Sequence, residues 1–280
     1  MFSYLVPFLL TLAACFGIQA LGLRAVGGRT AKSESNYFSS LGRIQAGTVG
    51  KADVMLLGSS ITGRLPDRSQ GFEGFANMGC DGGSAVDALR AMDRGFLPTA
   101  PVLVVEANTL QLALQRKPSE VGVAMERPWF QAGMRAPAIS SYARPSAFFY
   151  SLLLARKIGG FGDPAVDEDL QMASHPARLD ALETKPLSAD ERSLIDELVP
   201  LLHRLQQKGC RTVFVWLPPG RQQGSPAPPW IAALMAESRS EWWDLGTEAS
   251  RELVTLTDGV HMAAPSAART VRSLRKGLGH

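Results

Sequence analysis

Beyond position 50 the chain carries four short apolar runs: Val54-Met55-Leu56-Leu57, Val102-Leu103-Val104-Val105, "TVFVWL" from Thr212 to Leu217, and the shorter Trp242-Trp243-Asp244-Leu245. Each is continuous rather than alternating, which suits parallel strands buried on both faces. Gly58 stops the first run and Pro218-Pro219 the third. Between the runs the apolar spacing becomes helical. Ser84 and Asp87 have capping-box spacing ahead of Val86, Leu89 and Met92. Ser188 and Glu191 repeat that spacing before Leu194, Ile195, Leu198, Leu201, Leu202 and Leu205, and Gly209 closes the segment. Pro265 suits a first helical turn ahead of Val271, Leu274 and Leu278. Strands alternating with helices predict an α/β fold, a three-layer sandwich with a mostly parallel central sheet and helices on both faces.

Two stretches depart from this alternation. From about 110 to 186 the chain is rich in Pro, Arg, Met and aromatics, as in "ERPWFQAGMRAPAISSYARPSAFFYSLLLARKIGGF". It reads as an insertion of helices and loops, either a lid over a site or a structural excursion. At the other end, Phe2 to Leu23 holds no charged residue, and about 20 apolar residues suffice to span a bilayer. Residues 1–24 are therefore expected to be a transmembrane signal-anchor or a signal peptide. Leu12-Ala13-Ala14-Cys15 has the look of a lipobox, which would make Cys15 a lipidation site. The apolar run nevertheless continues to Leu23 with no Lys or Arg before it, and a small membrane-facing cysteine is the favoured alternative. Residues 25–50 read as a polar tether and 51–280 as the globular domain.

Composition narrows the function classes. At 45% hydrophobic and 20% charged residues, the chain has ordinary globular composition. A net charge of +3, with no basic and aromatic interleaving, gives no footprint for nucleic acid. Arg269, Arg272, Arg275 and Lys276 lie at helical spacing and read as a solvated face that favours the helix dipole. Three cysteines (Cys15, Cys80, Cys210) and four scattered histidines form no metal-ligand spacing. No metal and no cofactor is expected.

The chemistry lies in four separated stretches. Gly58-Ser59-Ser60-Ile61-Thr62 follows the first predicted strand, where ligands bind in open α/β sheets. Asn77-Met78-Gly79-Cys80-Asp81-Gly82-Gly83-Ser84 is a glycine-rich loop opening a helix; its glycines allow close backbone approach and its amides favour negative charge. It lacks the spacings of nucleotide loops. Asn108 places a side-chain amide just past the second run. Asp258-Gly259-Val260-His261 puts a carboxylate close enough in sequence to orient an imidazole. A serine nucleophile needs both a base and a group holding that base in the right tautomer.

In this order, the four stretches resemble the blocks of the SGNH, or GDSL-type, serine hydrolases. The similarity runs from about Asp53 to the final helix, but its signal is confined to these short motifs. The resemblance implies Ser60 as nucleophile, His261 as base and Asp258 as its partner. It implies an oxyanion hole from the Ser60 amide, the Gly82 amide and the Asn108 side chain, with Gly79 as the alternative glycine. Two departures stand out. Ser59 replaces the usual acid, which leaves support of the active-site turn missing or altered. Glu106 stands where a glycine often precedes the asparagine, and is expected to crowd the pocket or to add a carboxylate to it.

The resemblance further implies an esterase removing an acyl group, acetyl in the first instance, from an envelope or secreted glycan or a small ester. An O-acyltransferase using the same residues is one alternative. A non-catalytic carbohydrate-binding or assembly subunit is another, in which Trp129, Trp230, Trp242 and Trp243 either stack on sugars or serve as packing. Partner proteins of a glycan-modification system accompany these readings. The resemblance also favours an extracytoplasmic, membrane-anchored domain, whereas Arg24, Arg29 and Lys32 taken alone favour a cytoplasmic one.

Overall fold

A computed structural model describes residues 2–25, 33–115, 119–158, 187–218, 227–245 and 254–279. Its centre is a five-stranded sheet in the order β2-β1-β3-β4-β5, with every neighbouring pair parallel. The strands are β1 (Val54–Leu57), β2 (Phe75–Asn77), β3 (Val102–Glu106), β4 (Arg211–Trp216) and β5 (Glu241–Asp244). Four match the apolar runs. The fifth, β2, contributes only Phe-Ala-Asn, too short to stand out from the loop that follows it.

Alternate strand residues feed two cores. Met55, Leu57, Leu103, Val105, Phe214 and Trp216 point to one side. Val54, Leu56, Val102, Val104, Val213 and Val215 point to the other. The first face is covered by α2 (Asn36–Gly47), α4 (Ala85–Asp93), the α9 helix (Ala189–Gln207) and α10 (Pro229–Ser238). All six predicted apolar positions of α9 are buried. The second face packs on α11 (Ala264–Leu278) through Ala267, Val271, Leu274 and Leu278. A short α3 (Ser60–Gly63) follows β1 and adds Ile61 to that side.

Local signals hold to different degrees. The Ser188/Glu191 capping box forms in both directions, and Gly209 takes the positive φ (90°) that a side chain would resist. At α4, Ser84 caps the Val86 amide, but Asp87 does not complete a box. Asp87 is buried instead and lies 3.8 Å from Arg90. The tether ends earlier than expected. Residues 26–32 lie outside the described residues, but Asn36–Gly47 is a helix capped by Ser35, with Leu41 and Ile44 fully buried. Its apolar positions are few and separated by serines and glycines, so the sequence pattern reads as polar.

The expected insertion is helical where described: α5 (Leu112–Gln115), α6 (Glu120–Met125), α7 (Pro128–Arg135), two 3-10 turns at Pro137–Ile139 and Ser141–Ala143, and α8 (Pro145–Ile158). Its remainder, 116–118 and 159–186, lies outside the described residues. Trp230 is buried, and Trp242 and Trp243 are partly so. A Cβ added at Gly277 would sit 2.8 Å from the Trp243 ring, so that indole packs directly on α11. Trp129 alone of the four stays exposed.

Phe2–Ala25 forms α1, 24 residues long, with Tyr4, Val6, Phe8, Leu10, Ile18 and Leu21 exposed. Side chains at both of its ends lie outside the described residues. Among the described residues no helix is long and apolar enough to cross a membrane. Cys15 is exposed, while Cys80 and Cys210 are buried.

Candidate active site

Gly58 ends β1, and Ser59 becomes the N-cap of α3, its hydroxyl accepting from the Ile61 amide at 3.1 Å. Ser60 is therefore the first helical residue. The Thr62 amide donates to Glu106 at 3.1 Å and the Gly63 amide to the Ser59 carbonyl at 2.9 Å. The Ser60 amide is the first-turn donor left without an acceptor among the described residues.

Across the sheet end, Leu256 and Met262 bridge antiparallel and close a small loop. Asp258 organises this loop from within: its Oδ1 accepts from the amides of Val260 (3.1 Å) and His261 (2.8 Å), and Gly259 supplies the positive φ (79°) of the turn. Asp258 Oδ2 is 2.6 Å from His261 Nδ1, and His261 Nε2 is 2.8 Å from Ser60 Oγ. Ser60 and His261 are separated by 201 positions in the chain and meet because the loop before α11 reaches the carboxyl end of β1.

Partial burial pushes the Asp258 carboxyl upward, but hydrogen bonds from the His261 amide and ring and from the Val260 amide outweigh it. The carboxyl is held below its ordinary value of 3.8. An ionised carboxylate only accepts, so Nδ1 carries the ring proton and the Nε2 lone pair faces the serine hydroxyl. That is the arrangement for drawing the Ser60 proton onto His261.

A cavity of about 610 Å³ lies over this pair, lined by Ser60, His261, Gly82, Asn77, Arg43 and Tyr150 among others. Its size falls in the roughly 300–1,000 Å³ range of small-ligand sites. The two candidate glycines separate here. Gly82 lines the cavity with φ 71°. Gly79 is buried against Gly63, where an added Cβ would meet the backbone nitrogen at 2.4 Å, and its amide donates to Asn77 Oδ1 at 2.9 Å. Asn108 bonds to Leu217, just past the end of β4. Its Nδ2 donates to the Leu217 carbonyl and its Oδ1 accepts from the Leu217 amide, both at 2.8 Å, so it clips the ends of β3 and β4 together. It is not among the cavity-lining residues.

Other residues hold positions that the sequence does not assign them. Asn77 Nδ2 donates to the carbonyls of Thr62 (2.7 Å) and Leu65 (2.6 Å), which ties the glycine loop to α3. Arg43, from the presumed tether, donates to the Gly79 carbonyl at 2.7 Å and pairs with Asp81 at 2.9 Å. Glu106 neither crowds the cavity nor adds a carboxylate to it; it is 1% exposed and sits beneath the Ser59–Thr62 turn. The signal for it was an acid at the end of an otherwise apolar strand. None of the four tryptophans lines the cavity, whose aromatic wall is Tyr150. Among the described residues no cluster of His, Cys, Asp or Glu could hold a metal ion.

No known family model, no curated protein and no solved structure matches this chain.

Proposed function

We propose that the chain is a serine esterase of the SGNH type, acting on an acylated glycan or a small ester. The observation that carries this reading is the continuous relay Asp258 Oδ2, His261 Nδ1/Nε2, Ser60 Oγ, with contacts of 2.6 and 2.8 Å. Ser60 Oγ attacks the ester carbonyl as its proton passes to His261 Nε2. The protonated imidazole, stabilised by Asp258, returns that proton to the leaving alkoxide. Water, deprotonated by the same nitrogen, then releases the acyl group as a carboxylic acid and restores the serine. The Ser60 and Gly82 amides take the oxyanion. Asn108, the third donor implied by the resemblance, has one N–H committed to Leu217 and one left for the role.

A polar cavity wall of Arg43, Asp81, Asn77 and Gln70 favours a hydroxylated acceptor over an alkyl one. If a sugar hydroxyl replaces water, the same residues perform O-acyl transfer. Membrane attachment through α1, with the domain outside the cytoplasm, belongs to the same proposal. Its support is the uncharged stretch from Phe2 to Leu23 and the exposed apolar side chains of α1.

The test is labelling by a fluorophosphonate together with acetate release from acetylated glycans and p-nitrophenyl acetate, with Ser60→Ala alongside. Labelling and release by the wild type, both lost in Ser60→Ala, support the reading. A folded wild type that neither labels nor releases acetate favours a non-catalytic carbohydrate-binding role.

A further inference from the structure

Glu106 is a buried carboxylate without a role in the proton relay, and its surroundings are unusual. Among the described residues no cation pairs with it, and its hydrogen-bond partners are all neutral donors. Oε2 accepts from the Ser59 amide (2.9 Å), the Thr62 amide (3.1 Å) and the Thr62 hydroxyl (2.6 Å). Oε1 accepts from the hydroxyls of Ser59 (2.8 Å) and Thr109 (2.8 Å). Five donors converge on two oxygens, a set that an acceptor-only carboxylate matches. The partners bracket Ser60 on both sides, and their chain separation from Glu106 reaches 47 positions.

Gly58 shows that the turn is shaped around this group. A Cβ there would lie 2.1 Å from Thr62 Oγ1, 2.4 Å from Glu106 Oε2 and 2.6 Å from Glu106 Cβ. Only a residue without a side chain leaves room for the carboxylate beneath the turn. Ser59 serves both partners: it donates its proton to Glu106 and accepts from the Ile61 amide. Ile61, Thr62 and Gly63 thus have their amides engaged, while Ser60 lines the cavity with its hydroxyl against His261.

We propose that Glu106 is the positioning residue of the nucleophile. Through Ser59 and Thr62 it holds the turn that sets Ser60 Oγ against His261 and leaves the Ser60 amide free for the oxyanion. It never touches substrate. This inference rests on the serine-hydrolase reading above. A misplacement of about 1 Å at a reacting group can cost roughly 100-fold in rate, and that is the scale expected when the anchor is lost.

Two substitutions separate the anchor from bulk. In Glu106→Gln the amide oxygen can still accept from the Ser59 and Thr62 amides, so the variant is conservative. In Glu106→Met the length is kept but every acceptor is removed. Each variant is followed by fluorophosphonate labelling of the full chain, recording the fraction labelled at saturation and the rate constant. The expected result is full saturation in both, with rate constants lower by about 10-fold for Gln and about 100-fold for Met. Wild-type rate constants would overturn the proposal. So would a reduced labelled fraction at an unchanged rate constant, because that is a folding effect alone. If Glu106→Met yields no folded protein, Glu106→Gln decides by the same criterion. A wild type that does not label at Ser60 removes the serine-hydrolase reading itself, whereas normal labelling of the Glu106 variants removes only the positioning role.

Discussion

The two halves of the relay are built in opposite ways. The nucleophile turn is buried and held by distant partners: Ser59 and Thr62 bond to Glu106 from β3, and Asn77 from β2 ties down the carbonyls of Thr62 and Leu65. The histidine loop is at the surface and held by itself, because Asp258 accepts from amides only two and three residues ahead. Asp258 has a side chain 41% exposed, against 1% for the whole of Glu106. On the proposed reading, a nucleophile must stay still relative to an oxyanion site made of backbone, which support from the sheet provides. A base that shuttles a proton needs orientation, which a short local turn provides.

This contrast can be broken at either end. Ser60→Ala removes the proposed nucleophile and is expected to lower turnover by about 10⁶-fold, to a residual level, with Tm close to wild type. Asp258→Asn keeps an acceptor for the loop amides but no longer holds the ring tautomer. It is expected to lower kcat by about 10³–10⁴-fold with little change in Tm. A large loss of Tm in that variant would show the histidine loop to be as structural as the nucleophile turn. Asn108→Ala separates the clip from the oxyanion role. A donor used in the transition state predicts a fall of about 100-fold or more in kcat, whereas a clip alone predicts a lower Tm with kcat nearly kept.

Two glycines sharpen the comparison through stability. Gly58→Ala drives a methyl into Thr62 and Glu106 and is expected to cost about 1–3 kcal/mol, read as a lower midpoint in denaturant titration. Gly259→Ala must adopt a positive φ of 79° and is expected to cost about 1 kcal/mol. The smallest effect is acid dependence. The Asp258 carboxyl is held below its ordinary 3.8, so its contribution is fully present above that value. It is lost as pH falls through the lower folded value. The Tm difference between wild type and Asp258→Asn should therefore be constant near neutrality and shrink below about pH 4. Because the group is well exposed, the difference will be small.

Legibility followed the range of the interactions. Asp258 and His261 were readable because a carboxylate three residues before an imidazole can reach it within one turn of chain. The four longer apolar runs were readable because burial on both faces leaves a continuous pattern. β2 was not, since three residues carry no period, and α2 was not, since its buried face is broken by glycines and serines. Glu106 stands out as an acid at the end of an apolar strand, but its direction does not. Nothing in "VLVVEANT" says whether the acid points into the cavity or under the neighbouring turn. Gly82 and Gly79 were indistinguishable in sequence, and the packing of Gly79 against the Gly63 backbone separates them.

The sequence by itself determined the α/β alternation, the capping box of the α9 helix and the pairing of Asp258 with His261, all of which depend on contacts a few residues apart. The resemblance implies Ser60 rather than Ser59, but only the tertiary structure supplies the physical reason, because that choice depends on where Ser59 finds its partner. Its partner is Glu106, brought beneath the turn by the parallel pairing of β1 with β3. A hydroxyl with a buried carboxylate below it becomes an anchor, and the next hydroxyl along the chain is left to meet the imidazole.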